Sequence, residues 1–193
     1  SYPKELDMLA SLVDGMNEGG EGMNAGAAVG KRGTNEQGNK NGVNLSTALS
    51  VIEMCYGDTA LLLSMPRQGL GNSAIAAVAN EEQLQRFKNT WAAMAITEPN
   101  GGSDSAAIRT TATKDGDDYI LNGEKIFVTS GDRADAIVVW ATLDKKLGRS
   151  AIKSFVIPKG TAGMTVERLE HKLGIKASDT AVIRLIEIGR AHV

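Results

Sequence analysis

Residues 117–131 read DDYILNGEKIFVTSG, two short alternating runs of apolar residues on either side of Asn122-Gly123. An Asn-Gly pair between such runs is the strongest short-range signal for a β-hairpin, because both residues tolerate the positive φ of a two-residue turn. The stretch therefore predicts one strand over Tyr119–Leu121, a turn at Asn122-Gly123 and a second strand over Lys125–Ser130.

The second of these strands carries a candidate binding pattern. Phe127 and Thr129 are two residues apart, so on a regular strand their side chains point the same way. An aromatic face beside a hydroxyl donor suits a flat heteroaromatic ring with a polar edge. Taken alone, the stretch is explained better as an ordinary strand with one core aromatic residue, and both interpretations stay open.

The chain after about residue 90 continues in the same style, with Val, Ile, Thr, Phe and Tyr in short runs broken by turn residues. Such runs of roughly 4–8 residues are typical of strands. Further strands are expected over Ala92–Thr97, Ile108–Lys114, Ala136–Leu143, Ile152–Ile157, Met164–Glu167 and Ala181–Ile186. With the hairpin, about eight short strands predict a small sandwich or barrel.

The chain before residue 90 has a helical pattern instead. One-sided apolar spacing predicts a helix over 4–17, and interleaved glycines and asparagines predict a long loop over 19–43. Three more helices are expected: one from a cap at Asn44 or Ser46 to Ser64, one at 71–79 and one at 81–88. The first of these should be buried because it is apolar on most sides. The last should open with a capping box made by Asn80 and Gln83.

Composition excludes several classes of function. The 193 residues carry 21 Lys and Arg against 23 Asp and Glu, whereas a nucleic-acid-binding surface shows a basic excess. No apolar run approaches the ~20 residues of a membrane-spanning helix. One cysteine and two histidines rule out a disulfide framework, a Cys-based zinc site and a multi-histidine metal site. Cys55 is therefore expected to be a buried structural thiol, and His171 a surface residue.

The stretch AITEPNGGSD at residues 95–104 is a second candidate site. A predicted strand runs into Pro99, two glycines, Ser103 and Asp104. The backbone N–H groups and small hydroxyls of such a turn can approach a polar or anionic ligand closely. On spacing alone, a plain turn with an Asx or Ser cap explains the stretch better.

Together these segments resemble the acyl-CoA dehydrogenase family of flavoproteins. The resemblance covers roughly residues 45–186 and follows the order and spacing of several motifs. Besides the two stretches above, these are VIEMCYGDTALLL at 51–63, NEEQLQRF at 80–87, FVIPKGTAGMTV at 155–166 and KLGIKASDTAVI at 172–183. The resemblance implies an α+β chain with a helical N-terminal domain at 1–90, a β-barrel middle domain at 91–186 and an atypical tail at 187–193. The C-terminal helical bundle of the family is not matched.

The resemblance also implies that the chain binds FAD and no metal. The implied cofactor contacts are Met94, Ile96, Thr97, Gly102, Ser103, Phe127, Val128 and Thr129. Backbone groups of Ile96 and Thr97, with the Thr97 hydroxyl, would meet the pyrimidine end of the flavin. Phe127 would lie against its face and the Thr129 hydroxyl would bond N5. Ser103 would touch the FAD pyrophosphate and the pantetheine of an acyl-CoA, and is thus the implied substrate contact.

The implied reaction is the α,β-dehydrogenation of an acyl-CoA thioester to the trans-2-enoyl-CoA, as in fatty acid β-oxidation. Electrons would pass to an electron-transfer flavoprotein. The family's catalytic base is a glutamate in the C-terminal helical domain, so no catalytic residue is nominated and the chain alone is expected to be inactive.

Three interpretations of the chain remain open. It is the N-terminal piece of such an enzyme, a natural half that needs a separate helical partner chain, or a non-catalytic module that binds flavin or acyl-CoA. The family is usually tetrameric, so a homo-oligomer or a complex with a helical partner subunit is expected. The resemblance implies a cytoplasmic location in a bacterium, or the mitochondrial matrix in a eukaryote.

Overall fold

The computed structural model describes residues 43–65 and 70–189, and the chain divides into two compact units between Asn89 and Thr90. The predicted helix at 4–17 lies outside the described residues, as does the predicted loop at 19–43 apart from Val43. In the described residues, no helix combines the length and the hydropathy that a bilayer crossing needs.

The described residues of the first unit form three helices, α1 (Val43–Ser64), α2 (Leu70–Val78) and α3 (Glu81–Phe87). The predicted capping box of α3 is confirmed. The Asn80 side chain accepts from the Gln83 N–H at 2.9 Å, and the Gln83 side chain accepts from the Asn80 N–H at 2.9 Å. These bonds satisfy two backbone donors that the start of a helix otherwise leaves unpaired.

Helix α1 is interrupted at Asp58, where φ is -160° and ψ is 111°. The Asp58 carboxylate accepts from the Ala60 N–H at 2.7 Å. An aspartate in extended backbone that accepts from a following N–H is a helix N-cap. The sequence predicts one continuous helix to Ser64, and this internal cap is the physical reason for the difference.

The prediction that α1 is buried is wrong for much of its length. Leu49 is 54% exposed and Tyr56 is 93% exposed, whereas Leu62 and Met65 are buried. Leu62 and Met65 form a small apolar cluster with Cys55 packed against it, and Cys55 is half-buried rather than fully buried. The helix has apolar residues on most of its sides, and a cluster along one side covers only some of them, so the others stay exposed.

Between Thr90 and residue 189, the second unit forms a seven-stranded sheet. Its strands are β1 (Ala92–Ala95), β2 (Thr111–Asp115), β3 (Asp118–Thr129), β4 (Ala136–Thr142), β5 (Ile152–Pro158), β6 (Met164–Leu169) and β7 (Thr180–Ile188). Short 3-10 helices at Ser105–Ala107 and Lys145–Ala151 connect β1 to β2 and β4 to β5. The order is β1-β4-β2-β3-β7-β6, with β5 paired to β4. The sheet curls into a half-barrel, which confirms the predicted α+β fold.

The Asn122-Gly123 turn is the main prediction that the structure contradicts. Strand β3 runs without a break through both residues, so the two predicted strands are one and the sheet has seven strands rather than eight. The true hairpin lies earlier, where Asp115 pairs with Asp118 and Gly116 has a φ of 60°. A two-residue loop that begins with a glycine at positive φ matches the twist of the flanking strands.

Gly123 instead allows a close approach of the chain at Thr110. A β-carbon built on Gly123 would lie 2.8 Å from the Thr110 Cα, well inside van der Waals contact. The pairing of β3 with β7 also shifts register between Leu121 and Gly123. Such a shift bends a strand, so β3 changes direction here without ending.

Strand β7 continues beyond its predicted end at Ile186. Ile188 is 0% exposed and pairs with Leu121, and the Glu187 N–H donates to the Asn122 side chain at 2.9 Å. The first two residues of the predicted tail therefore belong to the sheet. Residues 190–193 lie outside the described part of the chain.

The core of the second unit is made of large, fully buried side chains from several strands. Leu121, Phe155 and Ile183 are each 0% exposed. Tyr119 packs edge-on against Phe155, with ring centroids 5.2 Å apart and an interplanar angle of 61°. Each fully buried side chain of this size contributes about 1.5–3 kcal/mol, so β3, β5 and β7 share one well-packed core.

We predict that Gly123→Ala destabilises the chain by about 1–3 kcal/mol, because the new β-carbon forces Thr110 away from β3. Urea unfolding of the 193-residue chain, followed by circular dichroism, measures the loss. Gly174→Ala is the matched control, since a β-carbon there meets nothing within 4 Å and should change stability by less than about 0.5 kcal/mol. Equal unfolding midpoints for the two variants would contradict the close approach.

Candidate functional site

The segment after β1 folds back on itself through a tight turn. The Glu98 N–H donates to the Gly101 carbonyl at 2.9 Å, and the Gly101 N–H donates to the Glu98 carbonyl at 3.1 Å. Pro99 and Asn100 form the exposed tip. A β-carbon built on Gly102 would lie 3.9 Å from the Thr97 side chain, so the turn returns Gly102 to the neighbourhood of Thr97.

The same segment meets strand β3. The Thr97 carbonyl accepts from the Ile126 N–H at 2.9 Å, and the Ile96 carbonyl accepts from the Lys125 ammonium at 3.0 Å. We call residues 96–97 and 125–129 the paired segments. The two stretches that the sequence singles out are thus joined by hydrogen bonds, although about 30 residues separate them along the chain.

A buried ion pair lies next to the hydrogen bonds that join the paired segments. Lys125 Nζ is 2.8 Å from Glu98 Oε1, and the two side chains are 0% and 8% exposed. Glu98 also accepts from the Arg109 N–H at 2.7 Å, the Thr110 N–H at 2.9 Å and the Thr110 hydroxyl at 2.5 Å. A buried charge is tolerated when it is paired and its remaining lone pairs are hydrogen-bonded, and Glu98 meets both conditions.

The surroundings of the pair set the pKa of each partner. Burial alone would raise the pKa of Glu98, but hydrogen bonds from Lys125, Thr110 and the Arg109 N–H outweigh it and lower that pKa from its ordinary 4.5. Burial lowers the pKa of Lys125 from its ordinary 10.5, and the bond and charge of Glu98 oppose this only in part. Glu98 is therefore a carboxylate at neutral pH.

The end of β3 departs from a regular strand at Phe127. Phe127 has a φ of 56°, and the pairing with β7 shifts register between Lys125 and Val128. Phe127 is 60% exposed, Val128 is 1% exposed and Thr129 is half-buried. The interpretation of Phe127 as a core aromatic residue is therefore wrong, because the bulge turns a large apolar side chain toward solvent.

The other predicted site residues lie around the paired segments with different exposure. Met94 is half-buried on β1, where it pairs with Val138. Gly102 and Ser103 are exposed in the stretch after the turn. Since the Val128 side chain is in the core, only its backbone is available to a ligand. His171 is exposed, as predicted.

The turn after Thr129 is braced by Asp179. The Asp179 carboxylate accepts from the Arg133 guanidinium at 2.8 Å and from the Asp132 N–H at 3.0 Å, and its carbonyl accepts from the Ser130 N–H at 3.1 Å. Ser130 itself has a φ of 60°, a conformation that costs energy unless the surroundings impose it. These bonds supply that constraint, so the chain immediately after Thr129 is fixed.

Sequence reasoning missed Lys125 and Thr110 as members of the site. Lys125 sits between Glu124 and Ile126 with no cue to its burial, and lysines are almost never fully buried unless paired. Its partner is 27 positions away. In the described residues, no cluster of His, Cys, Asp and Glu could hold a metal ion.

A family model, a relative in sequence and solved structures all relate this chain to acyl-CoA dehydrogenases. Residues 93–187 match the family model for the acyl-CoA dehydrogenase middle domain. The short-chain specific acyl-CoA dehydrogenase of Clostridium acetobutylicum is 39% identical over 153 residues, which are 75% of this chain and 40% of that protein. The structure of butyryl-CoA dehydrogenase from Megasphaera elsdenii matches with a TM-score of 0.75 and 32% identity, over 98% of this chain and 49% of that one.

A further match is a chain in the structure of the electron transferring flavoprotein of Acidaminococcus fermentans. It has a TM-score of 0.69 and 34% identity, and the match covers 76% of this chain and 40% of that chain. This chain therefore spans less than half the length of each of these relatives.

The family model, the relative in sequence and the solved structures therefore agree that the chain is similar to acyl-CoA dehydrogenases. Over residues 93–187 the chain belongs to the acyl-CoA dehydrogenase middle-domain family.

We predict that Glu98 makes the stability of the chain depend on acid pH. Its pKa is lower in the folded chain than the ordinary 4.5, so the unfolded chain takes up the proton first as the pH falls. The stabilisation is complete above the unfolded pKa and is lost as the pH falls through the folded pKa. Glu98→Gln should cost about 3–5 kcal/mol at pH 7, and this gap should narrow below about pH 4.5.

Urea unfolding midpoints from pH 7 to pH 3 measure this gap. Glu167→Gln is the matched control, because Glu167 pairs with Arg184 on the surface and should differ from the parent by no more than about 1 kcal/mol at any pH. A gap for Glu98→Gln that stays constant across the range would show that Glu98 is not the titrating group.

Proposed function

We propose that the paired segments bind the isoalloxazine ring of FAD, and that the protein takes part in the α,β-dehydrogenation of an acyl-CoA thioester. The observation that carries the proposal is the hydrogen bond from the Ile126 N–H to the Thr97 carbonyl at 2.9 Å. It joins the two stretches that the family resemblance assigns to the flavin. The family membership of residues 93–187 supports the same cofactor.

The residues present fit a flat ring with a polar edge. Phe127 offers an aromatic surface that is 60% exposed at a bulge. The Thr97 and Thr129 hydroxyls and the Thr97 N–H are donors, and the flavin edge carries acceptor nitrogens and oxygens. In the described part of the chain these two hydroxyls have no protein hydrogen-bond partner. An exposed aromatic side chain and unpaired donors, all supplied by the paired segments, are the groups that such a ring needs.

Each of these groups has a distinct role in the proposed site. Phe127 would stack on one face of the ring, the Thr129 hydroxyl would donate to N5 and the Thr97 groups to the pyrimidine end. Gly102 and Ser103 would contact the pyrophosphate, and Ser103 also the pantetheine of the substrate. When bound, FAD supplies the acceptor for the hydride that leaves the β-carbon of the acyl group.

The α-proton needs a base that this chain does not offer at the paired segments. Glu98 accepts four hydrogen bonds and its pKa is lowered, so it is a weak proton acceptor whose two oxygens are both engaged. We infer that the base is not Glu98; the family resemblance implies a glutamate of the C-terminal helical domain, which these residues do not match, in the same protein or in a partner chain. An electron-transfer flavoprotein is the proposed acceptor, and a homo-oligomer the proposed assembly.

We predict that the 193-residue chain binds FAD with a saturable change in the absorption of the flavin. Thr129→Val should raise the Kd for FAD by about tenfold, because an unsatisfied polar partner costs roughly 1–3 kcal/mol. Thr113→Val is the matched control, an exposed threonine on β2, and should leave the Kd unchanged. A chain that shows no saturable binding of FAD would refute the proposed site.

We also predict that butyryl-CoA does not bleach the flavin of the FAD-loaded chain, because proton removal from the α-carbon is missing. Anaerobic mixing in a stopped-flow spectrophotometer measures the bleaching. Photoreduction of the same sample is the control that the bound flavin accepts electrons. Bleaching by butyryl-CoA at the rate of a full-length acyl-CoA dehydrogenase would place the base within these residues.

A further inference from the structure

The segment that holds Ile96 and Thr97 lies beyond the end of strand β1. The pairing of β1 with β4 stops at Ala95, opposite Val139, so the next carbonyls need donors from elsewhere. The Ile96 carbonyl accepts from Lys125 Nζ at 3.0 Å and the Thr97 carbonyl from the Ile126 N–H at 2.9 Å. Two consecutive carbonyls are therefore held by two consecutive residues of β3.

The bond from Lys125 sets the direction of the peptide group between Ile96 and Thr97. The described residues contain no cis peptide bond, and in a trans peptide the C=O and the N–H point in opposite directions. The Ile96 carbonyl points to an ammonium that is 0% exposed. The Thr97 N–H therefore points away from the Lys125 ammonium. Within the described residues this N–H has no protein acceptor.

The ammonium is itself held from the other side. Lys125 Nζ donates to Glu98 Oε1 at 2.8 Å, and Glu98 is fixed by the backbone of Arg109 and Thr110. A lysine stem has four rotatable bonds and gives no fixed direction on its own. Anchoring of its head by Glu98 makes it a donor of defined position.

We propose that Lys125 is a positioning residue for the flavin edge: by holding the Ile96 carbonyl, it aims the Thr97 N–H at the ring. The inference rests on the proposed function. According to this inference, a buried lysine that cannot touch the flavin still contributes to the affinity for it.

A purely structural role for the ion pair makes a different prediction. Lys125→Met keeps a long unbranched side chain, one atom shorter than that of lysine, but removes both donated bonds and leaves Glu98 as an uncompensated buried charge. Stability and flavin affinity then fall together under either hypothesis. In Lys125→Met/Glu98→Gln the buried charge is gone, so much of the stability returns, but the Ile96 carbonyl still lacks its donor.

The experiment is a titration of the 193-residue chain with FAD, together with urea unfolding of each variant. Lys125→Met should raise the Kd for FAD about tenfold, which corresponds to about 1.4 kcal/mol. The double variant should unfold at a higher urea concentration than Lys125→Met and keep the raised Kd. Ile157→Ala is the stability control, because it removes a fully buried side chain of β5 and should lower stability while the Kd stays that of the parent.

The outcomes separate the two proposals. A parent chain that does not bind FAD refutes the proposed function. A parent that binds FAD, with a double variant whose Kd returns to the parent value along with its stability, refutes only the positioning role. If neither Lys125 variant folds, the pair is a structural requirement of the sheet and the positioning role is likewise rejected.

Discussion

The buried ion pair between Lys125 and Glu98 is the constraint on which the arrangement of the second unit depends. Taking two such charges out of water costs several kcal/mol for each ion, and a single bond between them does not offset this. The balance is made up by the Arg109 N–H, the Thr110 N–H and hydroxyl, and the Ile96 carbonyl. Each of these groups is thereby tied to the pair, so the segment after β1, the segment before β2 and the middle of β3 share one geometry.

The same constraint explains why Gly123 and Thr110 are in contact. Thr110 reaches Glu98 with both its N–H and its hydroxyl, and to do so its backbone must lie against β3. A side chain at Gly123 would occupy that space. The bend of β3 and the burial of the ion pair are therefore two aspects of one packing arrangement. The next irregularity of the strand, at Phe127, brings an aromatic side chain to the surface next to Thr129.

Local signals in the sequence predicted local structure well. The capping box at Asn80 and Gln83 and most of the strands follow from patterns within a few residues. The prediction of a turn at Asn122-Gly123 was wrong because the same dipeptide forms a bend where a neighbouring segment crosses the strand at the glycine. That crossing is made by Thr110, which lies outside the local pattern from which the turn was predicted. Lys125 could not be recognised for the same reason, since its burial depends on Glu98 and on the Ile96 carbonyl, both brought close by the fold. The resemblance to a family located the paired segments, whereas the residues alone favoured a plain turn and a plain strand.

The electrostatics of the ion pair also decide whether Glu98 can act as a general base. A general base needs a pKa near the working pH and a free lone pair directed at the proton it removes. Glu98 has a lowered pKa and its oxygens are engaged by Lys125 and the segment at 109–110, and release of those bonds would strand a buried ammonium. A carboxylate that organises the paired segments is thus unsuited to remove a proton from a substrate beside them. If the paired segments bind the flavin as proposed, the proton acceptor is therefore a group other than Glu98.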